Sequence, residues 1–183
     1  MLQASRQSDA SPVDRLNAKV PVALIQEASV DGLAAEYTNP SQEVIKRIGG
    51  VLSGNHLYLF PDKSYIYCEW ADIEPLTVYD KGIWTFRDGY IELKSDPEVT
   101  WDPGVERRYM VVRRRSYRDE VMLVGTGGDL SYIEENAGND PEWIFLIRSK
   151  GMRKRLKQKS AARLKAKLMA ESWRPDFFKR QAP

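Results

Sequence analysis

"DKGIWTFRDGYIEL", residues 80–93, reads as two strands folded about Asp88-Gly89. Trp84 and Phe86 share one face of the first strand. Ile91 and Leu93 share a face of the second, with Tyr90 and Glu92 opposite them. A period of two in aromatic and β-branched residues is the strand signal. Gly89 can adopt the positive φ that a tight hairpin requires. The hairpin poses a choice for Trp84: it is either the wall of a ligand pocket or the plug of a small barrel.

The same alternation recurs on both sides. "HLYLF", 56–60, sets Leu57 and Leu59 against Tyr58 and Phe60, and "PDKS", 61–64, turns the chain. "YIYCEW", 65–70, sets Tyr65 and Tyr67 against Ile66, Cys68 and Trp70. "RRYMVVRRR", 107–115, and "EVMLVG", 120–125, form another pair, and "LAAEYT", 33–38, is a first short strand. "WIFLIRS", 143–149, is apolar on both faces. Its shortness and its end near Gly151 favour a strand over a helix. Brief helices are expected at 39–50, ended by Gly49-Gly50, and at 127–139, with Asp129 as N-cap and Gly138 as stop. Residues 95–106, with two prolines, form a loop.

Eight strands joined mostly by short turns give a mainly β chain: an antiparallel up-and-down barrel over 33–150, which removes sheet edges by closing on itself. Such a barrel either fills with side chains or holds one small ligand. Residues 1–20 are polar and aperiodic, so 1–32 is expected to be a flexible segment. Residues 151–183 are a basic helix and tail, the helix stopped by Pro175.

Composition narrows the chemistry. No apolar run approaches the roughly 20 residues that span a bilayer. The chain has one cysteine, so an intrachain disulfide is impossible. One cysteine and one histidine cannot build a Cys/His zinc site within one chain. A Ser-His-Asp triad would have to use His56, and a Cys-His pair would need His56 and Cys68. His56 opens a strand and is read as a half-exposed strand-end residue. No motif calls for a cofactor or a metal, and no catalytic constellation stands out, so a non-enzymatic protein is expected. The first 21 residues have no apolar core of a leader. Met1 as native start would place the protein in the cytoplasm; export would require a leader already removed.

The net charge of +2 conceals an asymmetry. Residues 151–183 hold 11 Lys/Arg and 2 Asp/Glu, a net of +9; residues 1–150 hold 17 and 24, a net of −7.

The order Gly82-x-Trp84, Asp88-Gly89, Ile91-x-Leu93, "ERRYMVV" and "VMLVGTGGDLSYIEENAGNDPEWIFLIRS" resembles uncharacterised bacterial proteins of calycin, or lipocalin-like, barrel type. The resemblance covers residues 33–149 and implies a barrel. Lipocalins proper carry Gly-x-Trp on their first strand, whereas here it lies mid-chain.

Two classes of binding site follow. Trp84, Tyr67, Tyr65, Phe86 and Trp70 are candidate walls of a cup for a small apolar ligand, against the alternative that they pack a filled core. Core packing is the preferred role for Trp84. In the tail, Arg153, Lys154, Arg155, Lys157 and Arg163, with Lys159, Lys165 and Lys167, form a basic cluster for an anionic partner. That partner is an acidic protein surface, a second copy of the chain, nucleic acid or a membrane, against the alternative of a helix clamped to the barrel by Leu156, Leu164 and Leu168. No aromatic residue interleaves the basic cluster, which weighs against nucleic acid. The apolar stripe, Met152, Leu156, Leu164 and Leu168, is thin for a membrane, where only Trp173, Phe177 and Phe178 offer anchors. Asp72, Glu74, Asp80, Asp88 and Glu92 have no metal-loop spacing and are read as solvated charge. "GTGGD", 125–129, is read as a turn before a capped helix rather than a phosphate cradle. Arg113–Arg115 split between two strand faces.

Overall fold

The computed structural model describes residues 10–40, 45, 53–72, 74–97, 106–114, 121–136, 145–149 and 158–171. Nine strands are described: β1 (Val22–Leu24), β2 (Ala35–Asn39), β3 (Ser53–Leu59), β4 (Ser64–Ala71), β5 (Glu74–Arg87), β6 (Tyr90–Ser95), β7 (Arg108–Arg114), β8 (Val121–Gly125) and β9 (Leu146–Arg148). Strands β2 to β8 pair in chain order where they are neighbours, except that β2 and β8 meet through β9. Ile147 is the register partner of both Thr38 and Met122, so the short β9 closes an antiparallel barrel of eight strands. The architecture is mainly β and calycin-like.

The hairpin forms where the sequence places it. Asp88 and Gly89 both take positive φ, 52° and 87°, and Trp84 faces Leu93 across the ladder. Strand β5 is longer than "IWTF" alone predicts. Its first half carries Pro75, Asp80 and Gly82, all poor strand formers, which hides it from a propensity reading. The register between β4 and β5 slips between Tyr67 and Cys68, leaving Tyr79 as the extra residue of a bulge. Asp80 faces inward by alternation with Trp84, and the bulge puts Val78 on the outer face.

Strand parity divides the apolar residues into three layers. Inside the barrel lie Tyr37, Leu57, Leu59, Tyr65, Tyr67, Trp84, Ile91, Leu93, Tyr109, Val111, Leu123 and Leu146. The outer face of β7, β8 and β9 shows Met110, Val112, Met122, Val124 and Ile147, covered by helices α1 (Pro12–Asn17) and, after β8, α3 (Gly128–Glu135) through Leu16, Leu130 and Ile133. The outer face of β3, β4 and β5 shows Tyr58, Phe60, Ile66, Cys68 and Val78, covered by α4 (Gln158–Glu171) through Ala161, Leu164 and Leu168. Burying Leu168 contributes about 1.5–3 kcal/mol and the half-buried Leu164 adds less, which together hold the basic helix on the barrel wall.

The flexible segment expected over 1–32 is corrected from residue 11 onward. Ser11 accepts a hydrogen bond from the Asp14 amide, Pro12 opens α1, and Leu16 is wholly buried. Strand β1 pairs with β7 beyond the start of β6: Gly89 accepts from the Val111 amide, and Val111 accepts from that of Ile25. The short α2 (Val30–Leu33) then packs Val30 and Leu33 against the interior residues. Of the helix expected over 39–50 only residues 39, 40 and 45 are described, and Asn39 ends β2 instead; the loop over 98–105, Gly138 and residues 151–157 and 172–183 of the basic tail lie outside the described residues.

Candidate functional site

The five aromatic residues expected to line a cup do not share one face. Trp84, Tyr65 and Tyr67 point inward and are buried. Phe86 points inward near the hairpin end and is half-buried. Trp70 is corrected: it stands on the outer face, its ring lying over Gly54 of the neighbouring strand. It shares the parity of Ile66 and Cys68, so it cannot close a cup with Tyr67.

The inward rings find their polar partners within the protein. The Trp84 indole Nε1 donates to the Phe60 carbonyl at 3.0 Å. Tyr37 donates to the Leu33 carbonyl at 2.9 Å, and Tyr67 to Glu69 at 3.0 Å. Tyr65 donates to Asp80 at 2.7 Å. Burial pushes the Tyr67 hydroxyl well above its ordinary range, helped by the Glu69 charge.

Asp80 overturns its reading as a solvated carboxylate. Its side chain has no exposed surface and accepts from Tyr65, from Ser95 at 2.9 Å, from the Lys81 amide at 2.9 Å and from Arg107 at 2.5 Å. Arg107 also donates to Ser95. The arginines of β7 do not form a patch: Arg107 turns to Asp80, Arg108 lies over the Tyr90 ring, and Arg113 and Arg114 sit at the far end of the strand.

The barrel brings together the pair that composition alone left open. His56 and Cys68 are direct register partners, on the same outer face as Glu36. His56 Nδ1 lies 2.9 Å from Glu36 Oε1. Burial works to raise the Glu36 carboxyl, but the bonds to His56, Tyr58 and Ser149 outweigh it and hold the group below the ordinary carboxylate range. Histidine, oriented carboxylate and thiol are the parts of a cysteine nucleophile, yet the thiol does not fit the role. Cys68 is fully buried, and burial, then the Glu36 charge, pushes its thiol up to about 12. Cys68 is therefore expected to resist iodoacetamide in the native protein at pH 8 and to react once urea unfolds it. Rapid native labelling, followed by mass spectrometry, would reopen the nucleophile.

The glycine-rich turn is occupied from within. Glu106 accepts from the backbone amides of Gly127 and Asp129, so it supplies the negative charge that the start of α3 favours. Asp129, the expected N-cap, instead accepts from the Gly125 amide at 2.8 Å. Burial raises its carboxyl to about 6, the Gly125 amide opposing and the Glu106 charge adding. Between the ordinary value of 3.8 and about 6, the native chain holds a proton that the unfolded chain has lost. The resulting stability is present below about pH 4 and lost as pH rises through 6. Asp129→Asn is expected to flatten this descending limb, read as the melting temperature of both proteins from pH 4 to 8.

A groove of about 490 Å³ lies on the outer wall between β4–β6 and α4. Ile83, half-exposed at 52%, stands in it with Lys94 and Ser64 as register partners on either side. Lys165 and Met169, one turn apart on α4, overhang it, and Ile66, Lys81 and Asp96 complete it. Lys81 pairs with Asp96 at 3.5 Å, while Lys165 pairs with Asp62 over the Phe60 ring. Lys94 is exposed and has no ion pair among the described residues. Of the predicted tail cations, Arg153, Lys154, Arg155 and Lys157 lie outside the described residues; Arg163 is exposed on α4. The groove itself escapes a sequence reading, because its residues come from three strands and a helix about 70 positions away.

Among the described residues no group of three His, Cys, Asp or Glu could hold a metal ion, and no helix is long and apolar enough to cross a membrane. The fold defines a closed eight-stranded antiparallel barrel. Comparison with protein-family models, curated proteins and solved structures gives no match.

Proposed function

We propose that this chain is a non-enzymatic binding protein, related in architecture to the calycins, in which the barrel is a filled scaffold and the outer wall beside α4 holds an anionic partner. The observation that carries the reading is the groove beside Ile83, lined by three lysines and one aspartate. Support also comes from the interior, where Trp84, Tyr65 and Tyr67 spend their polar atoms on the protein itself. A small apolar ligand inside the barrel would have to displace these rings, and this is the reading the test sets against ours.

The test is a thermal-shift titration of the full chain and of Lys94→Glu with anionic compounds and their uncharged counterparts. Anionic compounds are expected to raise the melting temperature of the native sequence. The effect should fall in 1 M salt and in the variant. Stabilisation by uncharged apolar compounds alone, equal in both proteins, would overturn the proposal and move the site into the barrel.

A further inference from the structure

We infer that the occupant of this groove is an amphiphile with one anionic headgroup and a linear alkyl chain, its head at Lys94 and its chain along Ile83; the inference rests on the binding reading above. The outer apolar face of β3–β5 is larger than the helix that covers it. Ala161, Leu164 and Leu168 close over Tyr58, Phe60, Ile66, Cys68 and Val78, and the cover ends before Ile83. An isoleucine on a barrel wall, half in water beside Met169, itself 41% exposed, leaves an aliphatic strip. A partner that buries it gains about 25 cal/mol per Å² of apolar area. The lysine stems extend the strip while their ammonium groups stay in water.

The charges set the number of heads. The lining carries three lysines and one aspartate, a net of +2. Lys81 already answers Asp96, and Lys165 already answers Asp62 from outside the lining. One ammonium, that of Lys94, is left for a ligand. A polyanion needs a row of such cations. An extended peptide needs a free strand edge, and Ile83 lies on a strand paired on both sides. A single head on a flexible chain needs neither. About 490 Å³ also falls in the range of small-molecule sites.

The experiment is isothermal titration of the full chain with dodecanoate below its micellar concentration. The comparison ligands are dodecyltrimethylammonium, with the same chain and opposite head, butyrate, with the same head and a short chain, and heparin. The variants are Ile83→Ser and Lys94→Glu, both at exposed positions, with Tyr132→Ala as an exposed control on the face that carries α3. Dodecanoate is expected to bind one to one, at least tenfold more weakly in each groove variant and unchanged in the control. Neither dodecyltrimethylammonium nor butyrate should match it. Dodecanoate binding that ignores both groove variants would overturn the inference. Heparin binding lost in Lys94→Glu, with no response to dodecanoate, would overturn the inference while leaving the anionic-partner reading intact. Silence from every ligand would count against both.

Discussion

Replacing Arg107 with methionine is expected to destabilise the protein by about 3 kcal/mol, the largest effect of any single charge change in the described residues, because it leaves the Asp80 carboxylate buried without a counter-charge. Asp80 has no exposed surface, whereas Arg107 reaches it from a position that is 30% exposed. Removing the cation therefore leaves the costlier partner behind. Tyr65, Ser95 and the Lys81 amide would still donate to it, but neutral donors do not offset a full charge. The second substitution makes the argument specific. Asp80→Asn in the Arg107→Met background is expected to recover most of the loss, since an amide oxygen can still accept from Tyr65 and Ser95 and no charge remains. Urea unfolding of the three proteins measures both steps, with the slope checked for constancy so that midpoints convert to free energies. A loss below about 1 kcal/mol for Arg107→Met would mean that solvent reaches Asp80, and the top of the barrel interior is wetter than its geometry indicates.

The same residue shows where a sequence reading stops. Asp80 sits two positions before Gly82-x-Trp84 in an acidic, glycine-containing stretch that looks like solvated loop. Its inward direction follows from alternation with Gly82 and Trp84, but its burial depends on Tyr65, Ser95 and Arg107 arriving from β4, β6 and the residue before β7, which only strand pairing brings together. The hairpin was legible because its cause is local: Asp88-Gly89 fixes the turn, and alternation fixes the faces. So was the clamp on α4, since Leu164 and Leu168 recur at a helical interval and both pack on the wall. The attachment of residues 11–33 had a local signal as well, Ser11-Pro12 as a helix start, but its polar surroundings masked it. Trp70 shares a cup with Tyr67 only while inside and outside are unassigned, and its alternation with Tyr65 and Tyr67 separates the two faces. The meeting of His56 with Cys68, and of Lys94 with Ile83, depends on register between strands, which composition does not encode.

Trp84→Ala is expected to cost about 3–5 kcal/mol, the range for emptying a large aromatic site in a packed core. Trp84 is 1% exposed and sits among the inward residues where β5 meets β6 at Leu93. Its loss opens a cavity inside a closed ladder, whose eight hydrogen-bonded strands cannot easily draw together to refill it. A second term follows from the indole: the Phe60 carbonyl loses its donor at 3.0 Å. Trp84→Phe separates the two, because it keeps most of the volume and removes the N–H; its expected cost is about 1–2 kcal/mol. Chemical unfolding of the pair, referred to the native sequence, tests the order Ala, Phe, native. The result also decides the choice posed by the hairpin. A wall residue of an empty cup has little packed against its inner face, so its truncation would cost under about 1 kcal/mol and would be felt in ligand affinity. A plug is felt in stability and leaves affinity at the outer groove unchanged. The indole's bond to Phe60 and the burial of its ring place Trp84 with the plugs, and a small measured cost for Trp84→Ala would return the binding site to the barrel interior.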